Sequence, residues 1–264
     1  MKKSGRKTID LFMFMGQSNM AGRGISTGAY PETVPRLTEN AGYEYRAVSS
    51  PDTLHILSEP FGCSENRQGG IDDGHMKTGS MVTAFVNEYY KNTGVAVVGV
   101  SASKGGSRIS QWQPGGIYLT DAVQRLKDAV SFLERNEYTI RHRYMLWCQG
   151  ESDGDISKPP EEYRRDFECM LREMLENGIE KCFMIRIGNY NGNENYNYTE
   201  IIHIQDEIAK SNRNVVMVST KFAEMKERGL MKDAFHYFQK AYNEIGAEAG
   251  FNTASYVRSL SEMP

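Results

Sequence analysis

The sequence lacks the long apolar runs that a membrane-spanning helix needs, which extend over about 18 residues or more. We therefore predict a chain without a transmembrane helix and without a membrane partner. Cysteine is also scarce, with 4 in 264 residues: Cys63, Cys148, Cys169 and Cys182. They form no Cys-x-x-Cys pair and show no spacing typical of a metal site, so we predict free thiols and no bound metal.

An excess of positive charge is absent as well. The formal net charge is −3 at pH 7, the isoelectric point is about 6.0, and no run of lysine and arginine forms a basic stripe. This composition argues against nucleic acid and other polyanions as partners. It leaves the oligomeric state open.

The N-terminal residues raise the question of a signal peptide, because Lys2, Lys3, Arg6 and Lys7 precede an apolar stretch. That stretch is short, and cleavage after it would remove the first predicted strand. We expect a cytoplasmic protein, or a secreted one if a leader has already been removed.

Apolar runs and helical periodicity alternate along the chain. The predicted strands are 9–15, 54–58, 95–101, 143–148, 182–187 and 214–219. The predicted helices are 79–92, 117–135, 161–177, 198–212 and 234–249. Such alternation predicts an α/β protein: a three-layer α/β/α sandwich around a mostly parallel sheet of five or six strands.

No internal repeat or low-complexity linker divides the chain, so we predict a single domain over residues 1–264. Residues 25–78 are the least regular and are expected to form a long excursion over the active-site face. The Asn/Tyr-rich stretch 189–198 also follows a predicted strand. It is expected either to line the same cleft or to be a mobile polar loop.

A candidate nucleophile follows the first predicted strand. The apolar run Leu11 to Met15 ends at Gly16, and Ser18 comes directly after it, between Gln17 and Asn19. Open α/β sheets bind their ligands at the carboxyl ends of their strands, which is where this serine is predicted to lie. An α/β-hydrolase nucleophile elbow is excluded, because it needs a second glycine where this chain has Met20.

A serine hydroxyl needs a base to remove its proton, and the base needs a group to orient it. Asp233 and His236 are three residues apart near the C-terminus, so one turn could direct both side chains the same way. Asp72 and His75 have the same spacing, but we interpret that copy as part of a polar loop.

Two further segments could stabilise a negatively charged oxygen. Gly105 and Gly106 follow the strand that begins near Val95, and paired glycines let backbone N–H groups approach a ligand closely. Gln149 ends another predicted strand, and its side-chain amide is a candidate donor to the oxyanion of a tetrahedral intermediate.

These segments together resemble the SGNH hydrolases, and in particular the carbohydrate-esterase branch that contains acetylxylan esterases and sialate O-acetylesterases. The matching motifs are Gly16 to Arg23, Lys104 to Ser107, Trp147 to Asp153, and Asp233 with His236. Two positions need comment: Gln149 stands for the asparagine of the superfamily's third block, as is usual in this branch, and Cys148 falls where a histidine is usual.

The resemblance implies a flavodoxin-like fold and a Ser-His-Asp triad with Ser18 as nucleophile, His236 as base and Asp233 as the residue that orients it. It implies oxyanion donors from the Ser18 N–H, a glycine N–H and the Gln149 amide. Gly105 is the preferred glycine and Gly106 the fallback. The candidate substrate contacts are Gln17, Asn19, Arg23, Arg108, Trp112 and Glu151.

From this resemblance we expect a serine esterase that removes O-acetyl groups from carbohydrate through an acyl-serine intermediate, without a metal or other cofactor. One alternative is a general short-chain acyl-ester or thioester hydrolase. The other is a non-catalytic carbohydrate-binding module on the same fold, which the complete set of Ser18, Asp233 and His236 argues against.

Overall fold

The protein is described by a computed structural model over residues 7–261. Seven strands form one sheet in that part of the chain, in the order β3-β2-β4-β1-β5-β6-β7. All neighbouring strands are parallel except β2 and β3. The strands are β1 (Thr8–Gly16), β2 (Gly42–Tyr45), β3 (Leu54–Ile56), β4 (Ala96–Ser103), β5 (Thr139–Cys148), β6 (Lys181–Ile185) and β7 (Val215–Ser219).

The sheet is one strand larger than the largest predicted size. The additional strand is β2, which has only four residues and includes Glu44, so no apolar run marks it in the sequence. The predicted strand 54–58 is the short edge strand β3, which pairs antiparallel with β2. The α/β architecture and the mostly parallel sheet are confirmed.

The helices in residues 7–261 lie on both faces of the sheet. They are α1 (Ser18–Ala21), α2 (Val82–Thr93), α3 (Ile117–Arg135), α4 (Glu151–Gly154), α5 (Pro160–Glu176), α6 (Thr199–Ser211), α7 (Phe222–Met225) and α8 (Gln239–Ser261). None of these helices is long and apolar enough to cross a membrane.

Alternation along β1 explains the three layers. Met13 and Met15 belong to the core beneath α3, α5 and α6, whereas Phe12 and Phe14 belong to the core beneath α2 and α8. Successive side chains of a strand point to opposite faces, so an unbroken apolar strand is one that is covered on both sides.

The predicted helix 234–249 is wrong at its start, because α8 begins at Gln239. The carboxylate of Asp233 accepts hydrogen bonds from the N–H groups of Phe235 and His236, and Met231 forms a β-bridge with Tyr237. Aspartate commonly makes such local bonds in place of a helical turn. The segment before α8 is therefore a loop that carries Asp233 and His236.

The long segment between β2 and α2 is held on the rest of the protein by buried charge. Arg125, on α3, has no exposed surface and donates hydrogen bonds to the carbonyl oxygens of Glu65, Ile71 and Ser101. The ammonium group of Lys77 donates to Ser101 as well. These bonds fix residues of this segment beside the carboxyl end of β4.

Candidate active site

The turn after β1 positions Ser18. Gly16 has φ +136, and a Cβ at this position would lie 2.0 Å from the carbonyl oxygen of Cys148 on the neighbouring strand. Only glycine fits such a close approach of two strand ends. The turn places Ser18 at the first position of α1, with 6% of its surface exposed.

The loop before α8 brings His236 to Ser18. The Nε2 atom of His236 lies 3.0 Å from the Ser18 hydroxyl oxygen, and its Nδ1 atom lies 3.0 Å from both carboxylate oxygens of Asp233. With the proton on Nδ1, His236 donates to Asp233 and Nε2 accepts from Ser18. His236 is thus in hydrogen-bond contact with both Ser18 and Asp233, the three residues predicted as a triad, although 218 positions separate Ser18 from His236.

His75, the alternative base, is exposed and does not line the cavity at Ser18. Within residues 7–261 its imidazole makes no hydrogen bond, and the Asp72 carboxylate accepts from the Gly74 N–H instead. The second Asp-x-x-His motif is therefore a polar loop.

The electrostatic surroundings suit His236 as a base. Burial lowers the pKa of His236, and the Asp233 carboxylate raises it. The effect of burial is the larger, so the pKa of His236 lies below its ordinary value. Partial burial raises the pKa of Asp233, but the hydrogen bonds from the Phe235 and His236 N–H groups and from the imidazole outweigh that effect and hold this pKa low. A neutral imidazole beside an ionised carboxylate is the state that can accept a proton.

Ser18 and His236 open into a cavity of about 380 Å³. Its lining comes from the turns after β1, β4 and β5, from the loop before α8 and from the segment before α2. The lining residues are Gln17, Ser18, Asn19, Arg23, Asp73, Met76, Lys104, Gly105, Gly106, Glu151, Ser152, Asp155, Phe235 and His236.

The backbone groups predicted for the oxyanion hole differ in their availability. The Gly105 N–H donates to the Asp73 carboxylate at 2.7 Å, so it already has an acceptor. The N–H groups of Ser18 and Gly106 have no acceptor within the described part of the chain. This geometry favours the fallback Gly106 over the preferred Gly105.

The Gln149 side chain is not directed to the cavity. It is fully buried. Its NH₂ group donates to the Ser107 carbonyl oxygen at 3.0 Å and to the Asp153 carboxylate at 2.5 Å. Its amide oxygen accepts a hydrogen bond from the Tyr163 hydroxyl at 3.2 Å. Gln149 therefore ties the turn after β4 to the turn after β5, in an arrangement different from that of an oxyanion donor.

Asn19 connects the turn that carries Ser18 to the loop that carries His236. Its NH₂ group donates to Glu151 at 2.6 Å and to the Phe235 carbonyl oxygen at 3.2 Å, and its amide oxygen accepts from the Tyr242 hydroxyl. Asn19 was predicted to contact substrate, but these bonds occupy its amide and hold Ser18 and His236 at a fixed separation.

Glu151 lies on the cavity wall with 3% of its surface exposed. One carboxylate oxygen accepts from Asn19, whereas the other, Oε2, has no partner in the described residues. Burial raises the pKa of Glu151 to about 7. This carboxyl group is therefore protonated in a large fraction of molecules near neutral pH.

The other predicted substrate contacts divide into two groups. Gln17 and Arg23 line the cavity, and the guanidinium of Arg23 pairs with Asp73 at 2.8 Å. Arg108 is exposed and lies outside the lining. Trp112 is fully buried, where its indole N–H donates to the Ser107 hydroxyl, so it anchors its loop in the core.

Several lining residues were not among the predicted site residues. Asp73 belongs to the Asp-x-x-His copy that was interpreted as a loop, and Asp155 and Phe235 stand close to predicted motifs without matching one. Asp155 and Phe235 could have been predicted as lining residues from their proximity in the sequence to Glu151 and His236. Lys104 begins the Lys104 to Ser107 motif but was given no role, and Met76 lies in the irregular segment 25–78, where no local pattern marks it.

The fold is an α/β sandwich with a mostly parallel sheet, and the cavity is lined by residues that follow β1, β4 and β5. A family model described as "Carbohydrate esterase, sialic acid-specific acetylesterase" matches residues 8–252, and the chain therefore belongs to this family. No curated protein matches the sequence.

Solved structures of several other proteins share this fold, and three of them show the extent of the likeness. A protein from Arabidopsis thaliana has 20% identity and a TM-score of 0.65, with 95% of this chain and 98% of that chain covered. NanS has 12% identity and a TM-score of 0.62, with 98% and 99% covered. A carbohydrate acetylesterase from Xanthomonas citri has 14% identity and a TM-score of 0.59, with 94% of this chain and 57% of that chain covered.

Proposed function

We propose that the protein is a serine esterase that removes O-acetyl groups from carbohydrate through an acyl-serine intermediate. The observation that carries this proposal is the unbroken hydrogen-bond chain from Ser18 through His236 to Asp233 at the floor of an open cavity. Membership of a carbohydrate-esterase family supports ester hydrolysis as the reaction at the general level.

In the first half of the reaction, the Ser18 oxygen attacks the acetyl carbonyl carbon while His236 takes the hydroxyl proton on Nε2. The carbonyl oxygen becomes an oxyanion, for which the free N–H groups of Ser18 and Gly106 are the proposed donors. The bond from the acetyl carbon to the sugar oxygen then breaks, and His236 returns its proton to that oxygen. The deacetylated sugar leaves and the acetyl group stays on Ser18.

In the second half, a water molecule attacks the acetyl carbon and His236 accepts one of its protons. The carbon–Ser18 bond breaks, Ser18 regains a proton from His236, and acetate is released. Asp233 keeps the imidazole in one tautomer throughout and stabilises its charged form. Asn19 contributes by position, because its amide bridges the turn that carries Ser18 and the loop that carries His236.

The experiment is acetate release from a panel of acetylated xylans, acetylated sialic acids and acetylated monosaccharides, with wild type and Ser18→Ala. Removing a triad serine costs several decades of turnover, about 10⁶-fold where it has been measured. An organophosphonate should label Ser18 in the wild type, as read by peptide mass spectrometry. Labelling of a different serine, or a Ser18→Ala enzyme with near wild-type turnover, would overturn the proposal.

A further inference from the structure

The loop between β6 and α6 has an unusual sequence, and the proposed reaction makes no use of it. Residues 189–198, here called the Asn-Tyr loop, have asparagine at every odd position from Asn189 to Asn197 and tyrosine at 190, 196 and 198. It contains one charged residue, Glu194, and no cation.

The Asn-Tyr loop is attached to the wall of the cavity at two points. The Tyr190 ring packs against the ring of Phe235 with centroids 5.4 Å apart, and the Tyr198 hydroxyl donates to the Asp155 carboxylate at 2.6 Å. Phe235 and Asp155 both line the cavity. The Asn191 N–H also donates to the carbonyl oxygen of Ala234, in the loop that carries His236. The loop therefore borders the cavity next to His236.

The residues that anchor the loop differ from those that it exposes. Tyr190 and Tyr198 are buried, whereas Tyr196 is 39% exposed, with its ring 5.1 Å from that of Tyr190. Tyr196 is thus one ring further out from the cavity than Tyr190. It presents a partly exposed aromatic ring to solvent, joined to the lining residue Phe235 through the ring of Tyr190.

Three exposed asparagines accompany Tyr196. The side chains of Asn189 and Asn197 are used within the protein, the first donating to the Ala223 carbonyl oxygen and the second accepting from the Thr199 N–H. The side-chain amides of the other three make no hydrogen bond to any residue between 7 and 261. These three are Asn191, Asn193 and Asn195.

This combination of groups matches the chemistry of a sugar chain. Each primary amide offers two donors and an acceptor, as the hydroxyl groups of a pyranose require. A tyrosine ring offers rigid apolar area at a low entropic cost, and asparagine beside it supplies adaptable hydrogen bonding. The loop's one carboxylate, Glu194, accepts from the Tyr190 hydroxyl, and the ammonium group of Lys226 donates to the Tyr190 carbonyl oxygen. The groups that the loop leaves free are therefore amides and a tyrosine ring, as a neutral sugar requires.

We propose that the Asn-Tyr loop binds the neutral sugar units that continue from the acetylated unit, so that the substrate is a neutral oligosaccharide. This proposal rests on the proposed esterase function. It adds a binding surface outside the cavity, with Tyr196 as the stacking residue and the three free amides as hydrogen-bonding partners.

The test compares kcat/KM for an acetylated neutral xylotetraose, an acetylated xylose and p-nitrophenyl acetate. Wild type should prefer the tetrasaccharide to the monosaccharide. Tyr196→Ala should reduce that preference about fivefold, within the range of a lost aromatic contact. Tyr196→Phe retains the ring and should retain most of the preference, which separates stacking from a general disturbance of the loop. Replacement of Asn191, Asn193 and Asn195 by alanine should also reduce it.

The outcomes separate this inference from the esterase proposal. Equal kcat/KM for tetrasaccharide and monosaccharide, with Tyr196→Ala indistinguishable from wild type, would overturn the loop inference and leave the esterase proposal intact. A preference for acetylated sialic acid oligomers over xylotetraose would overturn the neutral-sugar class. Failure of wild type to release acetate from any sugar, with p-nitrophenyl acetate still cleaved, would instead overturn the carbohydrate substrate of the proposed function.

Discussion

Replacing Gln149 by alanine distinguishes two roles for a residue that the sequence motif and the structure describe differently. Its resemblance to the third block of the SGNH hydrolases implies an oxyanion donor. In the structure, its amide makes three buried hydrogen bonds, to Ser107, Asp153 and Tyr163, away from the cavity. From this geometry we expect the substitution to reduce stability more than it reduces the rate of the chemical step.

The magnitude follows from the three bonds. A buried hydrogen bond to a carboxylate contributes about 1.5 to 3 kcal/mol, and each neutral one contributes about 1 kcal/mol. The loss for Gln149→Ala is therefore about 3 to 5 kcal/mol in the free energy of unfolding. For a chain of this size, about 1 kcal/mol corresponds to a shift in Tm of about 2 to 4 °C, so the midpoint should fall by about 10 °C.

The assay combines thermal unfolding with steady-state kinetics on p-nitrophenyl acetate at a temperature where the variant is fully folded. We expect kcat of the folded variant to fall less than about tenfold, well short of the loss that follows removal of a direct oxyanion donor. If Tm stays within about 2 °C of wild type and kcat falls by about 10²- to 10³-fold, Gln149 is the donor and its side chain must turn towards the cavity during the reaction.

Four further predictions concern charge and cavity shape. Because burial lowers the pKa of His236, kcat/KM should stay level as pH falls to about 6.5, the ordinary value of histidine, and decline only below it. Burial raises the pKa of Glu151 to about 7 in the folded protein. The protonated carboxyl group therefore adds to the free energy of unfolding below about pH 4.5, and this contribution is lost as the pH rises to 7. At pH 8, Glu151→Gln should be more stable than wild type in urea unfolding, by up to about 3 kcal/mol. Asp73→Ala should lower kcat, because Asp73 fixes the loop that presents Gly106. The rate on p-nitrophenyl esters should peak at acetate and fall by butyrate, because Met76 and Phe235 are the only large apolar side chains among the lining residues, too few to form a channel in which each further methylene would gain about 0.8 kcal/mol.

Each of these four predictions would be contradicted by a specific result. An acid limb centred above pH 7 would place the base in a different electrostatic setting from that of His236. A Glu151→Gln variant less stable than wild type at pH 8 would mean that the ionised carboxylate is favoured in the folded state. Faster turnover in Asp73→Ala would show that Asp73 competes with substrate for the Gly105 N–H. Rates that rise towards octanoate would favour a general acyl-ester or thioester hydrolase.

The elements nearest the site were the most predictable, for a physical reason. β1, β4 and β5 are central strands, and each contains an apolar run that is buried on both faces of the sheet and is followed by polar residues. These runs are 11–15, 96–100 and 144–148. The same pattern that marks the strand also marks its carboxyl end. β2 lies near the edge of the sheet, has four residues and contains Glu44, so it has neither the length nor the apolar run that this signal needs.

The helix before the C-terminus shows how local chemistry overrides a periodic pattern. The residues after Asp233 are compatible with helical spacing, but the carboxylate bonds to two backbone N–H groups and makes a turn in their place. That turn also directs the His236 imidazole back to the carboxylate. The misplaced helix start and the correctly predicted contact between Asp233 and His236 thus have a single cause.

The direction of a side chain at a strand end is harder to predict than its position. Gln149 and Ser18 each follow a central strand, and both positions were expected to face the substrate. Ser18 faces the cavity because Gly16 permits a turn that brings α1 over the end of the sheet. Gln149 turns inward because Asp153, one helical turn later, offers a buried carboxylate that needs a donor. Because that acceptor lies within the same motif, a motif match alone does not distinguish a catalytic amide from a structural one, and the stability of Gln149→Ala does.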